Sequence, residues 1–202
     1  MIISDTKKFV FIHIPKTAGM SVRHVLGAYA TVGVWAHPFS IQQRNKELQK
    51  HVFARTAIKY VNKWNEYFTF AFVRNPWDWV VSIYFYIKRD RRDPRHKKIQ
   101  SMNFNTFVIW MLKWDTYEFP IRGGQKNYII DTVGNIIVNK IGRVEEFNKD
   151  FEEICKIINV PCVLVKKNIT SHRHYNAYYN SHSKNLVKKM FAEDIEEFKY
   201  RY

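Results

Sequence analysis

Phe9-Val10-Phe11-Ile12-His13-Ile14-Pro15-Lys16-Thr17-Ala18-Gly19-Met20-Ser21 decides how the rest of this 202-residue chain is read. An apolar run, predicted as a strand over about residues 8–14, stops at a proline, a lysine and a small-residue turn. A helix-compatible stretch over about 20–30 follows. That order builds a phosphate cradle: a buried strand ends, a tight loop aims backbone N–H groups at one point, and the next helix adds its positive N-terminal end. Lys16 supplies a mobile cation, and Thr17 and Ser21 supply hydroxyl donors. The nucleotide-binding fingerprint of two glycines followed by Lys and Ser/Thr is absent, which points away from the tail of ATP or GTP.

A second element has the same logic. Phe68-Thr69-Phe70-Ala71-Phe72-Val73 reads as a buried strand parallel to the first, and Arg74-Asn75-Pro76-Trp77-Asp78 follows it. Pro76 disfavours helix at Asn75, and Trp77 to Ile87 then reads as a helix, with Val80, Val81, Tyr84 and Ile87 at helical spacing and Ser82 on another face. Arg74 offers a guanidinium fork and Ser82 a hydroxyl to a second anion. Two anion-holding elements at two strand ends suit a nucleoside carrying phosphates at both ends.

These residues carry a family likeness. Ile14-Pro15-Lys16-Thr17-Ala18-Gly19 with Ser21, and Phe72-Val73-Arg74-Asn75-Pro76-Trp77-Asp78 with a trailing serine, resemble the sulfotransferases that use 3′-phosphoadenosine-5′-phosphosulfate (PAPS). The branch of carbohydrate and uronyl sulfotransferases, with its short bacterial relatives, is the most similar. The likeness continues through Ile141-Gly142-Arg143-Val144-Glu145, the His- and Tyr-rich stretch from Asn168 to Tyr179, and the closing Phe191 to Tyr200. It implies an α/β fold with an open, mainly parallel sheet flanked by helices, with PAPS as sulfuryl donor, adenosine 3′,5′-bisphosphate (PAP) as product, and no metal.

Sulfuryl transfer needs donor and acceptor in line, removal of the acceptor proton, and stabilisation of charge on the bridging oxygen. By resemblance and by chemistry Lys16 takes the last role, and Lys16, Thr17, Ala18, Gly19, Met20 and Ser21 form the cradle. Relatives frequently carry threonine where this chain has Met20, so one hydroxyl donor is missing, worth about 1–2 kcal/mol if it faces the ligand. The resemblance makes Arg74 and Ser82 ligands of the 3′-phosphate. It also makes His51 the general base, because related enzymes carry a histidine at about this distance before the arginine motif. An unperturbed imidazole titrates near neutrality, which suits that task. His37, in Trp35-Ala36-His37-Pro38, is the competing candidate. Gln125, Arg143 and His172-Arg173-His174-Tyr175 fall in regions that approach cofactor or acceptor in relatives. These histidines and His182 do not have the spacing of a good metal-ligand set. Trp77 and Trp79 stay open between contact with the adenine and the commoner core position.

The chain is most simply one domain, residues 1–202. No segment is apolar for long enough to span a bilayer and no signal-peptide pattern is present, so the expected setting is the cytoplasm. Cys155 and Cys162 match no common zinc pattern and read as buried thiols, with a disulfide between them as the alternative. The net charge of +15 fits an anionic cofactor, and an acidic acceptor as well. Its densest run, Lys88 to Lys98, is either a solvated loop or a surface that steers such an acceptor. The acceptor expected is a hydroxyl, of a carbohydrate by resemblance.

Two other readings compete. A nucleotide kinase or NTPase needs the missing Gly-Lys-Ser/Thr loop, and Asp78, after a proline turn, is a poor magnesium carboxylate. A non-catalytic basic module for nucleic acid or anionic glycan explains the charge but not the paired anion loops. Elsewhere the pattern predicts a polar helical stretch over 40–50, a helix from His51 to near Trp64, and an amphipathic helix over Asn103 to Trp114. It also predicts a hairpin around Val133-Gly134-Asn135, a helix over Glu145 to Asn159, a strand over Val163 to Val165 and a last helix over about 183–197.

Overall fold

The computed structural model describes residues 1–31, 51–112, 123–162 and 173–202. They cluster into two compact units, Met1–Val73 with Gln125–Asn168, and Arg74–Gly124 with Ile169–Tyr202.

The first unit is built on a four-stranded sheet in the order β1 (Ile2–Ser4), β2 (Phe9–Ile12), β3 (Phe68–Val73), β4 (Lys140–Arg143). β2, β3 and β4 run parallel, with Ile12 opposite Ala71 and Val73 opposite Arg143. β1 adds an antiparallel edge, Ile2 opposite Phe11, which the sequence pattern does not separate from the first strand. The strands are too short for a strong pattern, but the turn between β1 and β2 is firmly tied. The Tyr67 hydroxyl donates to Asp5 Oδ1 at 2.5 Å, and the Asp5 N–H donates to Thr31 Oγ1 at 2.8 Å.

Alternation sorts the strand residues onto two faces. Phe9, Phe11, Phe70 and Phe72 share one face and form a core with Val22 and Leu26 of α1 (Gly19–Leu26) and with Phe151, Ile154 and Cys155. The last three lie on the helix that follows β4. Val10, Ile12, Ala71 and Val73 on the other face are buried as well, so both faces are covered, as a parallel sheet requires. Gly142 in β4 exists for Phe72: a Cβ there would lie 2.5 Å from the Phe72 ring.

Several expected elements differ in detail. The helix expected from His51 to Trp64 reduces to α2 (Ala54–Ala57) and 3₁₀ turns at Ile58–Tyr60 and Trp64–Glu66. Val61 turns extended and Lys63 left-handed (φ 59°), while Arg55 donates to the Asn127 carbonyl (2.8 Å) and the Trp64 indole to the Ile137 carbonyl (3.2 Å). Tertiary anchors outweigh local helix preference here. The expected hairpin is a single antiparallel bridge, Ile130 to Ile136, closed by Asp131 Oδ1 accepting from the N–H groups of Val133 and Asn135.

The second unit is helical. α3 (Pro76–Arg89) carries Trp77, Trp79, Val80, Ile83, Tyr84 and Ile87 buried, both tryptophans among them. α4 (His96–Gln100) and α5 (Phe104–Met111) follow, α5 capped by Asn103 and burying Phe104, Phe107, Val108 and Met111. In the first unit, α6 (Phe147–Ile157) occupies the predicted 145–159 helix. The last predicted helix breaks at Phe191 into α7 (Ser181–Met190) and α8 (Ala192–Glu197), because burying Phe191 edge-on against Trp79 (5.3 Å) takes it out of helical geometry. The 40–50 stretch and the 163–165 strand lie outside the described residues. Among the described residues, no helix is long and apolar enough to cross a membrane.

Candidate active site

Because β2 and β3 are parallel and in register, the carboxyl ends of both fall on one edge of the sheet, where ligands bind in open α/β folds. From the end of β2 the chain runs through His13 and Ile14, both buried, into the lysine loop. Lys16 (φ 62°) and Ala18 (φ 61°, ψ 14°) are left-handed without being glycine, at about 1–2 kcal/mol each. The strain lets the loop reverse within four residues and start α1 at Gly19. Ala18 is the N-cap residue and caps nothing with its side chain, and no acid occupies the first turn of α1. An uncapped helix start without a carboxylate keeps its positive end for an anion.

The Thr17 hydroxyl has a different job from the one expected. It is fully buried and donates to the Ile14 carbonyl at 2.9 Å, locking the loop. Ser21 is buried at the second position after Gly19, while Met20 is exposed at the helix start.

His51 joins the same loop. Its Nδ1 lies 2.9 Å from the His13 carbonyl oxygen. A carbonyl only accepts, so Nδ1 carries the hydrogen, and in the neutral ring Nε2 carries the lone pair. The bond thereby selects the tautomer a general base needs. His37 lies outside the described residues.

One residue to which the sequence pattern gives no role holds this arrangement together. The His13 ring stacks on Phe11 (centroids 5.5 Å, 22°) and meets the His51 ring at 4.5 Å. It also lies directly on the Cα of Gly19, where an added Cβ would sit 1.7 Å from its Nε2. Gly19 is therefore required by close approach. In a strand pattern His13 looks like one more core position, and only the pairing of a bulky ring with a glycine six residues on hints at the contact.

The second sequence element heads α3. Asn75 caps the helix by accepting from the Trp77 N–H (3.0 Å), and its amide donates to the Arg201 carbonyl (2.9 Å). Pro76 occupies the first helical turn, where its missing N–H costs nothing. The Trp77 indole donates to the Lys184 carbonyl (3.1 Å), and the Tyr179 hydroxyl to the Trp77 carbonyl (2.8 Å). Arg74 Nε pairs with Asp78 Oδ2 at 2.7 Å, and Ser82 is buried two turns beyond. The turn is thus braced from several sides by the protein itself.

The other sequence candidates make contacts of their own. Gln125 is fully buried, and the Arg143 N–H donates to Asp150 Oδ2 (2.6 Å) at the end of β4. His174 packs on Tyr175 (4.2 Å), and His172 lies outside the described residues. Within the Lys88–Lys98 run both acids are engaged, Asp90 with Arg92 (3.0 Å) and Asp93 with Arg95 (2.5 Å). Among the described residues, no group of three or more His, Cys, Asp or Glu side chains is arranged to hold a metal ion.

Comparisons with known proteins bear on the family and the fold. The model of the sulfotransferase family matches residues 1–201. An uncharacterized protein of Archaeoglobus fulgidus is 33% identical over 96 residues, covering 47% of this chain and 70% of that protein. The crystal structure of mouse sulfotransferase SULT7A1 complexed with PAP superposes with a TM-score of 0.58 at 14% identity, over 96% of this chain and 86% of that one. At that identity the superposition speaks for the fold, a mixed open sheet flanked by helices. Matched by the family model over all but its final residue, the chain belongs to the sulfotransferase family.

Proposed function

We propose that this sulfotransferase takes its sulfuryl group from PAPS and transfers it to the hydroxyl of a carbohydrate. PAPS supplies, when bound, a sulfuryl group on a phosphate leaving group. The PAP named with the mouse structure supports that donor class. The residues present suit such a ligand, since the first turn of α1 is uncapped and free of acids, and Arg74 heads α3.

The observation that carries the mechanism is the His51 Nδ1 bond to the His13 carbonyl, at the root of the lysine loop. It ties the proposed base to the segment bearing the proposed cation. His51 Nε2 takes the proton of the acceptor hydroxyl as that oxygen bonds to sulfur. Lys16 Nζ donates to the bridging oxygen that departs with the phosphate, where negative charge grows. Backbone N–H groups from Thr17 to Ser21 hold the 5′-phosphate, and Arg74 and Ser82 hold the 3′-phosphate. The net charge of +15 favours an acidic acceptor.

Calorimetric titration with adenosine 3′,5′-bisphosphate, against ADP, AMP and a random oligonucleotide, tests the reading. Selective binding of the bisphosphate, followed by turnover of PAPS with a glycan acceptor, is the expected result. Equal affinities for all nucleotides, with the oligonucleotide tighter, would refute it.

A further inference from the structure

We infer that Asp78 is a positioning residue that aims the Arg74 guanidinium at the donor's 3′-phosphate, an inference that rests on the proposed role of Arg74. The two residues are four apart, Arg74 just before the Asn75 cap and Asp78 in the first turn of α3, and their side chains are mostly buried, at 14% exposure for Arg74 and 21% for Asp78. Asp78 Oδ2 accepts from Arg74 Nε at 2.7 Å, a charge-assisted hydrogen bond. Nε sits on the stem side of the guanidinium plane, so this bond limits rotation of the group as a whole and presets the direction of its terminal N–H fork. The backbone beneath is set separately, by the Asn75 cap, Pro76 and the Asn75 bond to the Arg201 carbonyl. A flexible cation is thereby held at its base and at its neck.

For binding the phosphate, charge gives no reason for an acid at this place. A carboxylate beside an anion-binding arginine repels the incoming phosphate and weakens binding through space. Orientation acts in the opposite sense, by removing rotamer freedom that binding would otherwise have to freeze. Asp78 also lies in the first turn of α3, where an acid favours the helix. That helical role would affect stability, and would weaken every nucleotide alike.

The sign and selectivity of binding separate these roles. The Kd values for adenosine 3′,5′-bisphosphate and for AMP, which lacks the 3′-phosphate, are measured for wild type, Asp78→Ala and Asp78→Glu. Positioning raises the bisphosphate Kd about tenfold in Asp78→Ala and leaves AMP within about twofold. Asp78→Glu keeps the charge and the helix-start acid but displaces the oxygen, and it loses the bisphosphate selectively too; it carries the test if the alanine variant does not fold. Bisphosphate binding that is unchanged or tighter in both variants overturns the inference, as does parallel weakening of both ligands. A wild-type protein with no preference for the bisphosphate over AMP overturns the reading of Arg74, and this inference with it.

Discussion

Gly19→Ala adds one methyl group and sets two effects against each other. On helix propensity alone, alanine at the start of α1 stabilises by up to about 1 kcal/mol. The structure forbids that gain. The new Cβ would lie 1.7 Å from His13 Nε2, 2.0 Å from Cδ2 and 2.4 Å from Cε1. Carbon contacts are comfortable near 3.5–4.0 Å, so the imidazole must retreat by roughly 1.5–2 Å. It has little room to do so, being 5% exposed, stacked on Phe11 and set against His51. Overpacking of this kind costs about 1–3 kcal/mol, which in a chain of this size lowers Tm by roughly 3–10 °C. The displaced ring pulls on the segment whose carbonyl orients His51, and a shift of about 1 Å at a reacting group can cost on the order of 100-fold in rate. Thermal melts and single-turnover sulfuryl transfer, on Gly19→Ala, His13→Ala and the double variant, form a cycle. The expected coupling is at least about 1 kcal/mol, the double variant melting higher than the sum of single losses allows. A Gly19→Ala protein with unchanged or raised Tm and full turnover would refute the argument.

Three further outcomes are expected. Lys16→Ala and His51→Ala should each lower kcat by about 100-fold or more with the melting temperature near wild type, as single-turnover assays would show; wild-type turnover in His51→Ala would instead promote His37. Arg74→Ala should weaken binding of the bisphosphate by about 2 kcal/mol, roughly thirtyfold, in calorimetry while AMP is little affected. Burial, reinforced by the hydrogen bond to Asp5, raises the Tyr67 phenol from 10.0 to about 12. The fold therefore binds the proton more tightly than the unfolded chain, so this contribution is complete below pH 10 and lost as pH rises from 10 to 12. The melting advantage of wild type over Tyr67→Phe should narrow across that window, and a constant gap would count against the assignment.

Chemistry that depends on neighbours along the chain is legible in the amino-acid sequence alone. The lysine loop between β2 and α1, the Arg74-Asn75-Pro76 start of α3, and the burial of alternate phenylalanines in β2 and β3 all follow from local patterns. A proline presets its own backbone, a strand alternates its faces, and a helix start presents N–H groups wherever it occurs. The tertiary structure decided what depends on distant partners. Nothing in the 51–64 stretch announces that Arg55 and Trp64 are anchored to Asn127 and Ile137, which breaks the expected helix. Nothing near residue 191 shows that Phe191 must pack on Trp79 and end α7. The Thr17 hydroxyl, a ligand donor by its type, turns inward because the Ile14 carbonyl lies within its reach. His51 stands out by its place before the arginine motif, but its tautomer comes from the His13 carbonyl, 38 residues away in the chain. Residue type and spacing specify which groups are available; hydrogen bonds and close contacts between remote segments specify which of those groups are already engaged and which way the others face.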